Sequence, residues 1–173
     1  NAGEVVLERD RRGNEKEYEY DSSGRLRHVV DGIGDAAKYG RDLLGNIVRA
    51  TDGAGSATRA GYDFLGRVTA MTDGANVPTA FTYDARGALT NITDGRGNFT
   101  AFTYDALGRR TAMRWRAGGA IREKQYEYDG AGRLTVARGV QGEETVFMYD
   151  GAGRVTNVRA HFGARTIMNP APL

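Results

Sequence analysis

The chain has 173 residues, with 24 Lys+Arg against 22 Asp+Glu, 25 Gly, three Pro and no Cys. The absence of Cys excludes a disulfide framework and thiolate metal or redox chemistry, and no apolar run approaches the ~18 residues of a membrane span. The formal charge of +2 rests on a two-residue surplus, a weak argument for a nucleic-acid partner.

No signal peptide is visible at the amino end, and a first residue other than Met reads as a processed or excised product. Gly is one residue in seven, about twice the usual ~7%, and the glycines are periodic. In chain order the turn signals begin with DRRGN at Asp10, YDSSGRL at 20–26, DGIGD at Asp31 and RDLLGNI at 41–47. DGAGS at Asp52, YDFLGRV at 62–68, DGAN at Asp73 and YDARGAL at 83–89 follow. DGRGN at Asp94, YDALGRR at 104–110, YDGAGRL at 128–134 and YDGAGRV at 149–155 complete the series. The aspartates of the YD-type strings, from Asp21 to Asp150, are spaced 21, 21, 21, 21, 24 and 21. Interleaved with the midway series, they alternate at 11 and 10 residues from Asp10 to Asp105.

Strands at this spacing, separated by Asp, Gly and Asn, mark an all-β array. The pattern predicts an antiparallel meander of 21-residue repeats with two strands each, about fourteen strands in all, over residues 1–163. Residues 164–173, with Pro170 and Pro172, read as a non-repeat tail. The three-residue insertion before Asp129 predicts a longer loop over Trp115–Ala120. The only Trp would then cap the edge of a core rather than serve as a contact residue.

The turn chemistry follows from residue types. In YDxxGRL, Asp suits the first position of a type I turn, and Gly three places on supplies the left-handed residue of a hairpin with a bulge. This pairs Asp21 with Arg25, Asp63 with Arg67, Asp105 with Arg109, Asp129 with Arg133 and Asp150 with Arg154. It sets Tyr20, Tyr62, Tyr83, Tyr128 and Tyr149 opposite the next aliphatic residue, each such pair contributing ~0.2–1 kcal/mol. A second aromatic lies two residues before the motif Tyr, at Tyr18, Phe81, Phe102, Tyr126 and Phe147, and Tyr39 holds that place where Arg41 replaces the Tyr. One sheet face is therefore expected to carry an aromatic ladder, which reads as core. The other is expected to carry Thr with small or medium apolar residues such as Thr69/Met71, Thr90/Ile92 and Thr111/Met113. A sheet this long must twist into a spiral or closing barrel. Neither end shows an obvious cap, so the array reads as a section of a longer one, or one capped by a partner, and its open edges offer self-association.

Catalytic constellations are sparse. The two histidines, His28 and His161, lie in different repeat phases and read as strand residues on a partly exposed face. Asp-Gly-x-Gly turns lack the extra acidic ligands that a calcium site of six to eight oxygens needs. Each recurring Arg already has an Asp partner, which weakens a stacking platform for nucleic acid. Carboxylates paired in this way are held ionised and suit neither a general acid nor a free nucleophile. No cofactor, metal or catalytic residue is assigned. Carbohydrate stacking on the aromatic face stays open.

These strings at 21-residue steps resemble the YD/Rhs (rearrangement-hotspot) repeats of bacteria, related to repeats in insecticidal toxin-complex shells and in teneurins. The resemblance covers about residues 8–162. It implies a β-strand spiral that winds, in long arrays, into a hollow shell holding a toxic carboxy-terminal domain, often unfolded, until delivery. It also implies a polymorphic toxin exported by a contact-dependent or type VI system, with an adjacent immunity protein, and a secreted or cell-surface location.

The motif positions carry over as structural residues. They are Tyr20, Asp21, Gly24 and Arg25; Tyr62, Asp63, Gly66 and Arg67; Tyr83, Asp84 and Gly87; Tyr104, Asp105, Gly108 and Arg109; Tyr128, Asp129, Gly132 and Arg133; and Tyr149, Asp150, Gly153 and Arg154. The family's self-cleaving DPxG string is missing, since the three Pro follow Val77, Asn169 and Ala171. The expectation is a non-catalytic section of shell wall. The alternative is a cell-surface module that binds carbohydrate or protein.

Overall fold

A computed structural model describes residues 3–162 and 165–170. It is all-β, with strands β1 (Val5–Arg9), β2 (Glu15–Tyr20), β3 (Leu26–Asp31), β4 (Gly34–Arg41), β5 (Ile47–Asp52), β6 (Ala57–Tyr62), β7 (Val68–Thr72) and β8 (Pro78–Tyr83). The remainder are β9 (Leu89–Asp94), β10 (Phe99–Tyr104), β11 (Arg110–Ala117), β12 (Ala120–Tyr128), β13 (Leu134–Arg138), β14 (Glu144–Tyr149), β15 (Val155–Phe162) and β16 (Arg165–Pro170). They form one open sheet in which strand order follows sequence order. Hairpin connections join the neighbours because each Asp-x-x-Gly segment reverses the chain within a few residues. Two compact units divide the chain, Asn1–Phe81 and Thr82–Leu173.

Among the described residues the strands number sixteen, not fourteen. One addition, β1, precedes the first YD turn. The other, β16, lies in the expected tail, its backbone paired with β15 from Phe162↔Arg165 to Asn157↔Pro170. Residues 163, 164 and 171–173 of that tail lie outside the described residues.

The Trp115 region also differs from expectation. Instead of a loop from Trp115 to Ala120, β11 and β12 lengthen to eight and nine residues. They turn at Gly118 and Gly119, with φ of +56° and +83°. Two consecutive left-handed residues make the tightest hairpin connection, so the insertion goes into strand. Trp115 is a half-buried strand residue between Thr100 and Arg122.

A register shift at the YD hairpins reassigns some side chains. Tyr62 pairs with Val68 while Gly61 pairs with Ala70, leaving Thr69 as the extra residue. The same shift occurs at Tyr20, Tyr104, Tyr128 and Tyr149. One extra residue changes which face the following positions occupy. Met113 therefore stands directly opposite Phe102, and Met71 opposite Ala60, so both join the aromatic face rather than the Thr face. Thr111 meets Thr103 through their hydroxyls at 3.0 Å, as Thr90 meets Thr82.

The aromatics of the ladder are half-buried against their neighbours, Phe64 and Phe162 are exposed, and no enclosed core forms. Among the described residues the sole buried hydrophobic side chain is Ala57, at 8% exposure. A single β-layer buries a face only when a second layer lies on it.

Candidate functional site

The repeated feature of this sheet is its YD turn, and its geometry grows from one aspartate. At Asp129 the carbonyl accepts the Gly132 N–H at 3.0 Å, and the Asp129 N–H donates to the Arg133 carbonyl at 3.0 Å. The carboxylate accepts three further bonds: Oδ1 from the N–H groups of Ala131 and Arg133 at 3.0 and 2.9 Å, and Oδ2 from Arg133 Nε at 2.7 Å. Gly132 takes φ +85°, the left-handed region in which a side chain is strained.

The other motif residues occupy equivalent places. Gly24, Gly66, Gly87, Gly108 and Gly153 have φ of +74°, +76°, +88°, +79° and +83°. Arg Nε meets Asp Oδ2 at 2.8 Å in Arg25–Asp21, 2.6 Å in Arg67–Asp63, 2.6 Å in Arg109–Asp105 and 2.8 Å in Arg154–Asp150. Asp84 has Ala88 in the Arg position, and its Oδ1 accepts the N–H groups of Arg86 and Ala88, both at 2.9 Å. Tyr20, Tyr62, Tyr104, Tyr128 and Tyr149 stand opposite Leu26, Val68, Arg110, Leu134 and Val155. Tyr83 ends β8 beside this turn.

The electrostatics follow the hydrogen bonds. Asp129 is held below the ordinary carboxylate range by the Arg133 N–H and then by its guanidinium. The Arg154 backbone and side chain do the same for Asp150. Asn replaces Arg at Asp10, Asp42 and Asp94, where the side chains of Asn14, Asn46 and Asn98 are the leading cause of the same lowering. With Oδ1 and Oδ2 engaged inside the hairpin, these carboxylates brace the turn. No group of three His, Asp or Glu among the described residues is arranged to hold a metal.

Sequence reasoning missed that successive turns are tied to one another. Tyr62 Oη donates to the Ile47 carbonyl at 2.9 Å, Tyr104 Oη to Leu89 at 2.9 Å and Tyr149 Oη to Leu134 at 2.7 Å. Each acceptor lies 15 residues back. Tyr128 reaches 18 residues back to Arg110 at 2.9 Å, the difference being the three-residue insertion. Arg109 Nη1 donates forward to the Asp129 carbonyl at 2.9 Å, and Arg133 Nη1 to that of Asp150 at 3.2 Å. These two guanidinium carbons also sit 4.9 and 4.7 Å from the ring centroids of Tyr128 and Tyr149, within cation–π range.

Degenerate repeats keep these ties by substitution. Arg41, in the Tyr position, donates to the Leu26 carbonyl at 3.3 Å, again 15 residues back. Arg86 reaches the carbonyl of Ala106 at 2.8 Å where the motif Arg is Ala88. The rule was hidden because neither acceptor is marked by residue type; any residue supplies a carbonyl.

The histidines are placed differently. His28 on β3 bridges strands, with Nε2 2.6 Å from Asp35 Oδ1 and Nδ1 3.3 Å from Glu19 Oε1. His161 lies on β15 opposite Glu144, in the second unit.

The Teneurin YD-shell family model matches residues 4–165. Among solved structures, the chain is 20% identical to one of TcdB2-TccC3, with a TM-score of 0.73, covering 96% of this chain and 11% of that one. A Photorhabdus luminescens Tc holotoxin pore with a mutated TccC3 is 19% identical, with a TM-score of 0.71, covering 96% of this chain and 10% of that one. The complex TcdB2-TccC3-Cdc42 is 20% identical, with a TM-score of 0.70, covering 92% and 10%. This chain thus spans about a tenth of the length of the structures it matches. No curated protein matches. With its 21-residue period, its tied YD turns and a family match over nearly its whole length, the chain belongs to the Teneurin YD-shell family and forms a structural section of such a shell.

Proposed function

We propose that this chain is a wall section of a bacterial Rhs/YD shell that encapsulates a toxic carboxy-terminal domain and helps deliver it from a secreted or cell-surface protein. The observation that carries this reading is a single-layer sheet whose turns are tied to one another within each unit while its side chains are barely enclosed, Ala57 alone among the described residues counting as buried core. Such a layer leaves its aromatic face available to line a compartment. Its partners would be the rest of the shell and the enclosed domain, with an immunity protein or a secretion-system component acting on the assembly. The motif residues from Tyr20 to Arg154 serve as wall joints, and the repeats carry no catalysis.

The test is to isolate the full-length parent protein and treat it with protease before and after opening the shell with denaturant. Encapsulation requires the carboxy-terminal domain to survive in the closed shell and to be degraded once it opens. Equal degradation in both states would sink the reading. The adhesin alternative has one observation in its favour. Arg110 lies 5.1 and 5.9 Å from the ring centroids of Tyr126 and Phe102, an aromatic–cation surface of the kind that stacks on sugar faces. Glycan-array binding that vanishes on Tyr126→Ala in a folded variant would favour it.

A further inference from the structure

The face of the first unit opposite the aromatics contains an electrostatic conflict. Arg49 on β5 stands directly opposite Arg59 on β6. Directly opposed residues of an antiparallel pair hold their Cβ atoms about 4.5–5.5 Å apart, and like charges there are destabilising. The row continues through Gly40 on one side and Thr72 on the other, so it holds two cations and no acid.

The nearby acids are engaged elsewhere. On the same face, the adjacent row runs Glu19, His28, Lys38, Thr51, Ala57. Glu19 meets His28 at 3.3 Å and Arg27 at 3.7 Å. Asp35 meets His28 at 2.6 Å and Lys38 at 2.5 Å. Among the described residues Arg49 and Arg59 have neutral acceptors, Thr51 Oγ1 at 3.3 Å and Asn76 Oδ1 at 3.2 Å, and no acid. Each guanidinium carries five N–H donors, so most of its capacity is unspent. The contrast within this protein is Arg138 of the second unit, at the end of β13, which is flanked by Glu127 and by Glu144 at 2.8 Å.

Space accompanies the charge. Lys38, Gly40, Arg49 and Thr51 line a cleft that extends to Glu19 and His28, on the side of Arg49 away from Arg59. At Gly40 a side chain would begin 3.5 Å from the Arg49 Cβ, on the floor of that cleft. The next row on this face, Gly61, Ala70 and Ala80, is also small.

We propose that Arg49 and Arg59 form a binding site for an oxyanion, a phosphate, sulfate or carboxylate group, seated between their two guanidinium groups with the Thr51 hydroxyl at its rim on the Arg49 side. The anion converts a repulsive pair into two charge-assisted hydrogen-bonding partners, for which the planar guanidinium fork is suited. The site does not depend on the shell reading, because it uses only residues of the first unit and no enclosed domain.

The 173-residue chain is titrated with sodium sulfate, inorganic phosphate and acetate at constant ionic strength, following the Arg side-chain Nε–H resonances and the heat of binding. At least one anion should saturate a single site, and Arg49→Gln or Arg59→Gln should weaken that binding at least tenfold. Arg11→Gln, in an exposed turn of the same unit, should leave it unchanged. Preference for the dianions assigns a sulfated or phosphorylated ligand, and equal response to acetate assigns a carboxylate; either supports the site. Without anion, both glutamine variants should unfold at the same or higher temperature, since each relieves the like-charge pair. Non-saturating shifts, binding retained in the double variant, an equal loss in Arg11→Gln, or destabilisation of both glutamine variants without anion would overturn it.

Discussion

The YD turns and the midway turns at Asp10, Asp52 and Asp94 close their hairpins with the same backbone bonds and differ in what they do next. At Asp94 the Gly97 N–H reaches the Asp carbonyl at 3.0 Å, Oδ1 accepts two backbone N–H groups and Oδ2 accepts Asn98 Nδ2 at 2.8 Å. At Asp105 the same bonds form, but Oδ2 accepts Arg109 Nε, and that guanidinium has a second arm that reaches the turn at Asp129. Asn98 ends its reach inside its own hairpin; Arg109 and the neighbouring Tyr do not. The turn itself sets the chain reversal, and the longer side chain converts a series of reversals into a laterally tied rim. Each tie is one hydrogen bond with a net contribution of about 0.5–1.5 kcal/mol, so the rim draws its strength from repetition.

The largest effect should come from what the two classes share. Gly132→Val and Gly97→Val both force a β-branched residue to a φ near +80°, a conformation costing of order 1–3 kcal/mol. Denaturant unfolding should show comparable losses at both. A loss below about 0.5 kcal/mol at either would contradict the turn geometry. Asn76, the non-Gly residue with positive φ, at +61°, already tolerates this position in a midway turn, and Asn is the side chain best suited to it.

A smaller effect separates the classes. Tyr104→Phe removes the bond to the Leu89 carbonyl and should cost about 1 kcal/mol in thermal or chemical unfolding. Tyr126→Phe, on the same face but outside the turn, should cost less. Smaller again, Arg41→Tyr should be within about 0.5 kcal/mol of neutral, because a Tyr there can take over the bond that Arg41 makes to Leu26. A large loss would show that the 15-residue reach is not the selected feature.

The pH response gives the finest distinction. Asp129 titrates lower in the folded chain than in the unfolded one, held first by the Arg133 N–H and then by its side chain. Its contribution is therefore fully present above the unfolded carboxylate value of about 3.9 and is lost as pH falls through the folded value. Arg133→Gln should raise the folded value and move the acid-unfolding midpoint upward. Asn98→Ala should do the same at Asp94, where the Asn98 side chain is the leading cause. Circular dichroism between pH 2 and 6 reads both.

Much of the fold was legible because its signals are local. Asp with Gly three residues later closes a turn within five residues, and the 10–11-residue step between turns leaves room for one strand. The ties were less legible. Arg109 has two jobs, and its pairing with Asp105 is evident from spacing, whereas its bond to the Asp129 carbonyl requires knowing which turn lies beside which. The faces of Met71 and Met113 are hidden for a related reason: simple alternation puts them with the Thr residues, and the extra residue of the bulge moves them to the aromatic face. Spacing alone puts Trp115 in a loop, because a three-residue insertion looks like turn, whereas Gly118 and Gly119 make a two-residue turn and return the extra length to the strands.

The sequence by itself determined where the chain reverses, that the strands follow one another as a meander, and the repeat family. These depend on residue types a few positions apart and on a period repeated along the chain. Only the tertiary structure decided which side chains meet across strands: the Tyr and Arg ties between neighbouring turns, the bridge from His28 to Glu19 and Asp35, and the opposition of Arg49 and Arg59. Those contacts depend on register. Register is set by bulges and turn lengths together, and a shift of one residue moves a side chain to the other face.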